Sequence, residues 1–336
     1  MRVCALPRCR RRPRHVAIGI AALSVLAVAA PADIARAQAY PDKPIRLIVP
    51  AAPGGPTDIP ARLLSQILPK LGQPAVIENR AGAGGAIGAR AVVAAPPDGY
   101  TLLIGNTSVF AVAPAVSASA GYDPTRQFAA VAKFSESYQI LVVRPDFPAK
   151  SVAELIVLAK RRPGGLDYAH SGPGGLPHMT GELFKSLAGV DIVGVPYKSG
   201  GESVTAVLGG QVQMTFESIT ILLPLIREGR LRALAVTSRT RTPLAPDLPT
   251  MIEAGVPDYE VTTFNGVAAP AGTPEAIVAR LNAAINEGLA APEMQETITK
   301  LGAVAVPGTA ADFAAFIAAQ ERKWSAVAKA ANIRID

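Results

Sequence analysis

Short apolar runs of β-forming residues alternate with helical stretches along the chain, and this alternation restricts the fold more than any other feature of the sequence. The runs predicted as strands are residues 45–49, 75–78, 101–105, 140–143, 166–169, 192–195, 212–216 and 231–236. Strands separated by helices favour a parallel-rich sheet flanked by helices, which is an α/β fold. The pattern begins again after Pro148, so we predict two lobes, each with its own sheet.

The N-terminal segment is typical of a secretory signal peptide. Residues 1–15 contain six arginines, residues 16–30 are almost entirely apolar, and residues 37–39 (AQA) offer small side chains for cleavage. A membrane anchor is the alternative, but the apolar run is shorter than the roughly 20 residues that a spanning helix needs. We therefore predict a signal peptide over residues 1–39, cleavage before Tyr40 and a periplasmic location.

Removal of this leader changes the charge balance of the chain. The full sequence has 33 lysines and arginines against 26 acidic residues, and the leader carries seven arginines and Asp33, so the mature chain is nearly neutral. This balance gives no indication of a nucleic-acid partner. Cys4 and Cys9 both lie in the leader, so no disulfide, thiol nucleophile or thiolate metal site is predicted in the mature chain.

Two similar glycine turns each join a predicted strand to a predicted helix, one in each half of the chain. They are residues 52–56 (APGGP) and 172–176 (GPGGL). A phosphate-binding P-loop needs a lysine followed by serine or threonine, whereas Pro56, Thr57 and Asp58 follow the first turn. A third glycine-rich segment, residues 81–88, lacks the last glycine of a dinucleotide fingerprint because Ile87 stands there. Nucleotide binding is therefore not predicted.

The residues available for catalysis or metal binding form no recognised motif. Ser171 lies next to His170, but neighbours in sequence rarely face each other, and the mature chain has no G-x-S-x-G nucleophile elbow. His178 and Glu182 could share a helix face with His170 nearby, yet two ligands without a third favour a structural histidine over a zinc site. The sequence predicts no catalytic residue, no metal site and no cofactor.

The glycine turns do suit the binding of an anion without reaction. Such a turn exposes unpaired backbone N–H groups, and the positive end of the helix dipole favours negative charge there. For a single turn, an ordinary connection capped by Thr57 or Asp58 explains the residues equally well. Two such turns on two lobes of an exported protein favour an anion site in the cleft between the lobes.

A series of motifs resembles a known family over nearly the whole mature chain. In order they are YPDKPIRLIVP, PGGPTDIPAR, VIENRAGAGGAIGA, PPDGYTLLIGN, YDPTRQF, YAHSGPGG followed by HMTGELF, VPYKSGG, GGQV, IREGRLRALAVTS, LPTMIEAG and APAGTPEAIVARLN. They resemble the Bug (Bordetella uptake gene) type of extracytoplasmic solute receptor, the binding component of tripartite tricarboxylate transporters. The resemblance implies a two-lobed periplasmic binding protein of type II, which closes like a flytrap on a small carboxylate.

The resemblance also implies the boundaries of the two lobes and the partners of the protein. The chain should cross between lobes near residues 140–143 and 262–267, so that lobe 1 contains residues 40–141 and 263–336 and lobe 2 contains residues 142–262. Its partners would be an organic-acid ligand and the membrane components of a tripartite tricarboxylate transporter. Presentation of the ligand to a sensor kinase is the alternative, and a periplasmic hydrolase is a remote one.

The family's ligand site maps onto this chain at matching motif positions. The ligand-binding residues implied in this way are Ala51, Gly54, Gly55, Thr57, Asp58, Asn106, Thr107, His170, Ser171, Gly172, Gly174, Gly175, Pro196, Tyr197 and Lys198. Backbone N–H groups, hydroxyls and bridging waters would hold the carboxylate. For Asp58 a helix cap is an equally favoured alternative, and for Lys198 a solvated position outside the cleft.

This chain departs from its relatives at several positions around the expected site. Where this chain has Ala51, relatives often have an aromatic residue, and where it has His170 they often have serine. Gly175 often corresponds to serine or threonine, and Gln213 and Glu217 often correspond to aspartate. We expect Ala51 to widen the pocket and His170 to supply a donor whose charge depends on pH. Of the properties that the resemblance implies, the identity of the bound acid is therefore the one least determined by it.

Overall fold

The computed structural model describes residues 40–335, so the predicted signal peptide and both cysteines lie outside the described residues. The strands in this part of the chain are β1 Ile45–Val49, β2 Ala75–Asn79, β3 Thr101–Asn106, β4 Phe128–Val143, β5 Asp167–His170, β6 Val193–Pro196, β7 Met214–Ser218, β8 Arg232–Val236, β9 Thr262–Pro270 and β10 Val304–Ala305. The α-helices are α1 Asp58–Ile67, α2 Ala86–Val93, α3 Ala113–Val116, α4 Val152–Arg161, α5 Leu176–Ala188, α6 Gly200–Leu208, α7 Ile219–Arg227, α8 Glu275–Ala290, α9 Pro292–Lys300 and α10 Ala310–Ala330. None of the described helices is long and apolar enough to cross a membrane.

The strands form one mixed sheet in the order β2-β1-β3-β9-β4-β7-β5-β6, with β8 and β10 paired to β4 outside this path. Pairing is parallel at both ends, where β1 lies between β2 and β3 and β5 lies between β6 and β7. Every pair that includes β4 or β9 is antiparallel. The predicted α/β class is confirmed, and two antiparallel strands join the two parallel sets.

Strand β4 takes part in both halves of the sheet. Its residues 128–138 pair with β9, and its residues 139–143 pair with β7 and β8. The apolar pattern predicts a strand only at residues 140–143, because the first part of β4 mixes small and polar residues with buried ones. The pattern does not predict β9 at all, since its sequence TTFNGVAAP contains few branched apolar residues.

The last helix, α10, packs on both halves of the molecule. Near its start, the rings of Phe313 and Phe264 of β9 lie 6.1 Å apart. Near its end, Trp324 is fully buried in a core that it shares with Phe184 of α5 and Phe216 of β7. These contacts bury the C-terminal aromatic residues Phe313 and Trp324 within the packed core. One core therefore contains residues from both predicted lobes.

The strand ends position the residues of the candidate site. Strands β1 and β3 lead into the segments that contain Thr57 and Thr107, and β5, β6 and β7 end at His170, Pro196 and Ser218. The carboxyl ends of parallel strands meet at one edge of a sheet. Each parallel set therefore collects its predicted site residues at a single edge.

Candidate functional site

The first glycine loop, residues 50–57, connects β1 to α1 and is anchored by Asp58. Asp58 is completely buried, and its Oδ2 accepts hydrogen bonds from the Gly54 N–H (2.9 Å) and Arg62 Nε (2.7 Å). Its Oδ1 accepts from Asn79 Nδ2 at 2.8 Å. Gly54 has a φ of +80°, which favours glycine and lets its N–H turn to the carboxylate. Asp58 makes no helix-capping bond, so the capping alternative is wrong: Asp58 is a buried anchor of the loop, and its contact with a ligand stays a prediction.

The donors around Asp58 stabilise its charge. Burial alone would raise the pKa of this carboxyl, but the hydrogen bonds from Gly54, Asn79 and Arg62 outweigh burial and lower the pKa. Asp58 is therefore ionised at neutral pH, with both oxygens occupied by protein donors. It has no proton to donate to a ligand carboxylate.

Asn79 is a supporting residue that the sequence reasoning did not select. Its Nδ2 donates to the carbonyl oxygen of Ala51 at 3.0 Å as well as to Asp58. Ala51 is half-buried against the apolar core beside β1. Asn79 thus ties the start of the first glycine loop to its end, and its place inside the VIENRAGAGG motif was the only available signal.

Thr57 and Asn106 are brought together at the ends of neighbouring segments. Asn106 Nδ2 donates to Thr57 Oγ1 at 2.9 Å, and Asn106 Oδ1 accepts from the Val109 N–H at 3.2 Å. Opposite Asn106 in the sheet lies Asn265, whose buried Oδ1 has no hydrogen-bond partner within residues 40–335. These polar groups form the lobe 1 side of the candidate site, and Asn265 was not predicted from the sequence.

Thr107 does not serve as the ligand-binding hydroxyl that the sequence predicts. Its Oγ1 donates to the Thr262 carbonyl (3.3 Å) and accepts from the Phe264 N–H (2.8 Å), and the residue is buried. Thr107 therefore fastens the end of β3 to the start of β9. This role depends on a contact between residues 155 positions apart, which no local pattern indicates.

The second glycine loop, residues 171–175, connects β5 to α5 and is held mainly by its own backbone and two histidines. The Gly172 N–H donates to the His170 carbonyl (3.0 Å), and the Gly175 N–H donates to the Gly172 carbonyl (3.3 Å). The Gly174 N–H donates to His178 Nδ1 at 3.0 Å. Ser171 makes no side-chain hydrogen bond to another described residue, which leaves its hydroxyl available to a ligand.

His170 lies behind this loop rather than in contact with open solvent. It is buried, its Nδ1 bonds to the Gly172 carbonyl at 3.0 Å, and its ring stacks on His178 with centroids 4.3 Å apart. Burial lowers the pKa of both histidines, that of His178 to about 4. The predicted pH-dependent donor to the ligand is therefore a neutral support of the loop, and it is not paired with Ser171.

Pro196, the last residue of β6, and the two residues after it lie beside the second glycine loop. The Tyr197 N–H donates to the His170 carbonyl at 2.8 Å, which fixes the end of β6 against β5. Lys198 and Pro196 are exposed, and the Lys198 ammonium makes no ion pair with another described residue. The lysine is thus a solvated cation at the strand edge, the alternative that the sequence left open.

Glu217, at the end of β7, is a buried carboxylate with few donors. Its Oε2 accepts from the Ser218 N–H at 3.1 Å, whereas its Oε1 has no partner in the described part of the chain. A side chain on Gly200, the first residue of α6, would lie 2.7 Å from Oε1. Burial raises the pKa of this carboxyl, in contrast to Asp58.

A cavity of about 360 Å³ lies beside the second glycine loop. It is lined by Ala83, Gly84, Ala86, Ser108, Ala113, Val116, Ser117, Ser119, Ala120, Pro173, Gly174, Gly175 and Ile335. Gly174 and Gly175 are predicted site residues, whereas the first glycine loop contributes none of this lining. The cavity therefore joins the second loop to the segments that follow β2 and β3, with serine hydroxyls on an otherwise apolar wall.

The hydrogen bonds change which groups can hold an anion. The N–H groups of Gly54, Gly172 and Gly174 donate within the protein, so none of them is free to hold a carboxylate in this arrangement, and their contact with a ligand stays a prediction. The available donors are the Thr57 and Ser171 hydroxyls, with the Lys198 ammonium at the edge. Residues 40–335 contain no group of three or more histidine, cysteine or acidic side chains that could hold a metal ion.

Comparison with known proteins gives one consistent result. A family model described as the tripartite tricarboxylate transporter family receptor matches residues 61–333. Protein BugT of Bordetella pertussis is 36% identical over 315 residues, which cover 93% of this chain and 96% of that protein.

Two solved structures share the fold over nearly their whole length. Rpa4515 of R. palustris, solved with adipate, is 37% identical with a TM-score of 0.72, over 88% of this chain and 99% of the other. MatC (Rpa3494) of Rhodopseudomonas palustris, solved with bound malate, is 35% identical with a TM-score of 0.69, over 86% of this chain and 99% of the other.

Proposed function

The chain belongs to the tripartite tricarboxylate transporter receptor family, and from this premise we propose that it captures a small organic acid in the periplasm and delivers it to the membrane components of such a transporter. The observation that carries the proposal is the buried Thr57 hydroxyl bonded to the half-buried Asn106 amide, at the strand edge where open α/β sheets bind ligands. Adipate and malate, the ligands of those structures, make dicarboxylates the first acids to test. The proposal includes no hydrolysis by Ser171, because His170 bonds to Gly172 and not to Ser171.

The division into lobes is part of this proposal. We propose that residues 40–141 and 263–336 move against residues 142–262, with β4 and the start of β9 as the crossing strands. The change of β4 partners between Tyr138 and Gln139 supports this hinge position. An acid that contacts both lobes would favour the closed population, since a ligand shifts the equilibrium only by its preference for one state.

A thermal-shift panel on the mature chain tests the ligand class. At pH 7.5 the panel contains malate, adipate, a tricarboxylate, an aromatic acid, adipamide as the uncharged match for adipate, and a neutral sugar. A ligand at 100 times its Kd adds about 2.7 kcal/mol, which corresponds to a rise in Tm of about 5 °C. We expect this rise from one acid and none from adipamide; a rise from the sugar alone would contradict the proposal.

The Thr57→Val variant tests the site itself. It keeps the shape of the side chain and removes the hydroxyl, so the affinity for the acid should fall about tenfold. Thr299→Val, on an exposed face of α9, is the matched control and should bind as the unchanged protein does. Equal affinities of both variants would remove Thr57 from the site.

Delivery to a transporter is tested by uptake of the labelled acid. Uptake into cells that express the two membrane components should require the receptor. The family description supports the transporter partner and gives no support to a sensor kinase. Normal uptake without the receptor, together with an acid-dependent kinase response that needs it, would reverse this assignment.

A further inference from the structure

Two stacked histidines support the second glycine loop from behind. His170 ends β5 and His178 lies in the first turn of α5, and their rings are 4.3 Å apart with an angle of 24° between the planes. Each ring makes one hydrogen bond to the loop backbone: His170 Nδ1 to the Gly172 carbonyl and His178 Nδ1 to the Gly174 N–H, both at 3.0 Å. The two imidazoles therefore hold the loop backbone at Gly172 and at Gly174.

The direction of these bonds fixes the protonation of each ring. A carbonyl oxygen only accepts, so His170 Nδ1 carries a hydrogen. A backbone N–H only donates, so His178 Nδ1 must be free of hydrogen, and this ring is the neutral tautomer protonated at Nε2. His170 can gain a second proton and keep its bond to the loop. His178 cannot, because a protonated Nδ1 would face the Gly174 N–H.

We propose that His178 is a positioning residue that holds the second glycine loop in its ligand-binding shape, and that the stacked His170 keeps His178 uncharged so that the loop stays formed in mildly acidic surroundings. The part that concerns ligand capture rests on the proposed function. The hydrogen-bonded loop itself does not depend on it.

The charged groups around the pair act in both directions. Desolvation is the largest cause that lowers the pKa of His178, and the neighbouring His170 and Lys185 lower it further. Glu182, one turn along α5, raises the pKa of both histidines, but its Oε1 already accepts from Tyr168 Oη (2.9 Å) and Lys185 Nζ (3.0 Å). The balance leaves the pKa of His178 at about 4 instead of 6.5.

The sign of the effect follows from this shift. Between pH 6.5 and about 4 the unfolded chain binds a proton at His178 that the folded chain does not, so the contribution of the pair is complete above pH 6.5 and decreases as the pH falls. Removal of His170 takes away part of the burial of His178 and the repulsion that His170 exerts when it is itself protonated. The pKa of His178 should then rise, and the loop should open at a higher pH.

Nuclear magnetic resonance of the labelled mature chain without ligand tests the positioning role. His15 lies in the predicted leader, so only His170 and His178 should give imidazole signals. We expect the Gly174 amide shift to follow the titration of His178 with the same midpoint, and His170→Ser to raise that midpoint by about one pH unit or more. In His178→Asn, whose Oδ1 accepts without titrating, the Gly174 amide should not titrate. A Gly174 amide that ignores the titration of His178 in the unchanged protein overturns the proposal, and this measurement needs no variant to fold.

Calorimetric titration with adipate tests the consequence for capture. We expect the ratio of Kd at pH 5.0 to Kd at pH 7.5 to be about twofold larger for His170→Ser than for the unchanged protein, because a rise of one unit in the pKa of His178 from about 4 gives this change at pH 5.0, whereas ligand protonation is common to both. The double variant His170→Ser with His178→Asn should lose this difference. Equal ratios in all three proteins contradict the proposal. Failure of adipate and every other acid to bind at pH 7.5 contradicts the proposed function instead, and leaves the magnetic resonance result to decide the positioning role.

Discussion

The two glycine loops have similar sequences and positions but are anchored by different chemistry. The first is held by the ionised carboxylate of Asp58, which accepts three hydrogen bonds, and the second by the neutral imidazole of His178, which accepts one. Both anchors accept a hydrogen bond from the backbone N–H of a loop glycine. These glycines therefore determine the shape of the loops, and the neighbouring hydroxyls are the groups that can bind a ligand.

The anchor chemistry also sets the pH range in which each loop is stable. The pKa of Asp58 is lowered, so its contribution is present above about pH 3.8 and is lost only as the pH falls through its lower folded value. The contribution of His178 is complete above pH 6.5 and is already decreasing toward pH 4. Acid should therefore loosen the second loop first.

Loss of the carboxylate anchor is expected to have the largest effect. Asp58→Ala leaves the Gly54 N–H and Asn79 Nδ2 buried without their acceptor, so the free energy of unfolding should fall by about 3 kcal/mol. Urea denaturation measures it. Asp146→Ala removes an exposed carboxylate paired with Arg144 and should leave the free energy of unfolding nearly unchanged. A similar small loss for Asp58→Ala would mean that the loop does not depend on its carboxylate.

Hydrogen exchange separates the two anchors by pH. Between pH 6.5 and 4, protection of the Gly174 amide should fall several-fold relative to that of the Gly54 amide, after correction for intrinsic exchange rates. Mass spectrometry of short peptides over both loops measures the ratio. A constant ratio across this range would show that the histidine anchor is no more sensitive to acid than the carboxylate.

A third buried group, Glu217, extends the comparison to a carboxylate without an anchoring role. Its raised pKa means that the fold favours the protonated form, so the stability associated with this group is complete below pH 4.5 and decreases as the pH rises. Glu217→Gln should therefore stabilise the protein by about 1 kcal/mol at pH 7.5 and have little effect below pH 4.5. Thermal unfolding at the two pH values measures the change, with the exposed Glu228→Gln as control. Destabilisation at pH 7.5 would show that Glu217 has a partner that the present contacts do not include.

The smallest effect on stability is expected at Ser171. Its side chain makes no hydrogen bond to another described residue, so Ser171→Ala should change stability by less than about 0.5 kcal/mol while weakening acid binding about fivefold. Calorimetric titration at pH 7.5 measures the affinity. If Ser171→Ala leaves the affinity for the acid unchanged, the Ser171 hydroxyl does not bind the acid, and the second loop contributes to the site only through its shape.

The sequence predicted what local pattern determines and missed what distant contacts determine. Alternating strands and helices predicted the α/β class, which depends on local pattern in the same way as the cap of α4, where Ser151 Oγ accepts from the Glu154 N–H at 3.2 Å. Strand β9 and the first part of β4 were missed because pairing across the sheet, not apolar pattern, makes them strands. The roles of Thr107 and Asn79 depend on partners outside their own segments. Motif resemblance selected Asp58 and His170, but only the contacts show that they support the loops.

The most direct test of the receptor account is a crystal structure of the mature chain with the acid that gives the largest thermal shift. The account predicts a carboxylate within hydrogen-bond distance of Thr57 on one side and of the second glycine loop on the other, with Gly54 still bonded to Asp58 and Gly174 still bonded to His178. An acid that contacts neither loop, or that displaces the Gly54 and Gly174 N–H groups from their anchors, would contradict it.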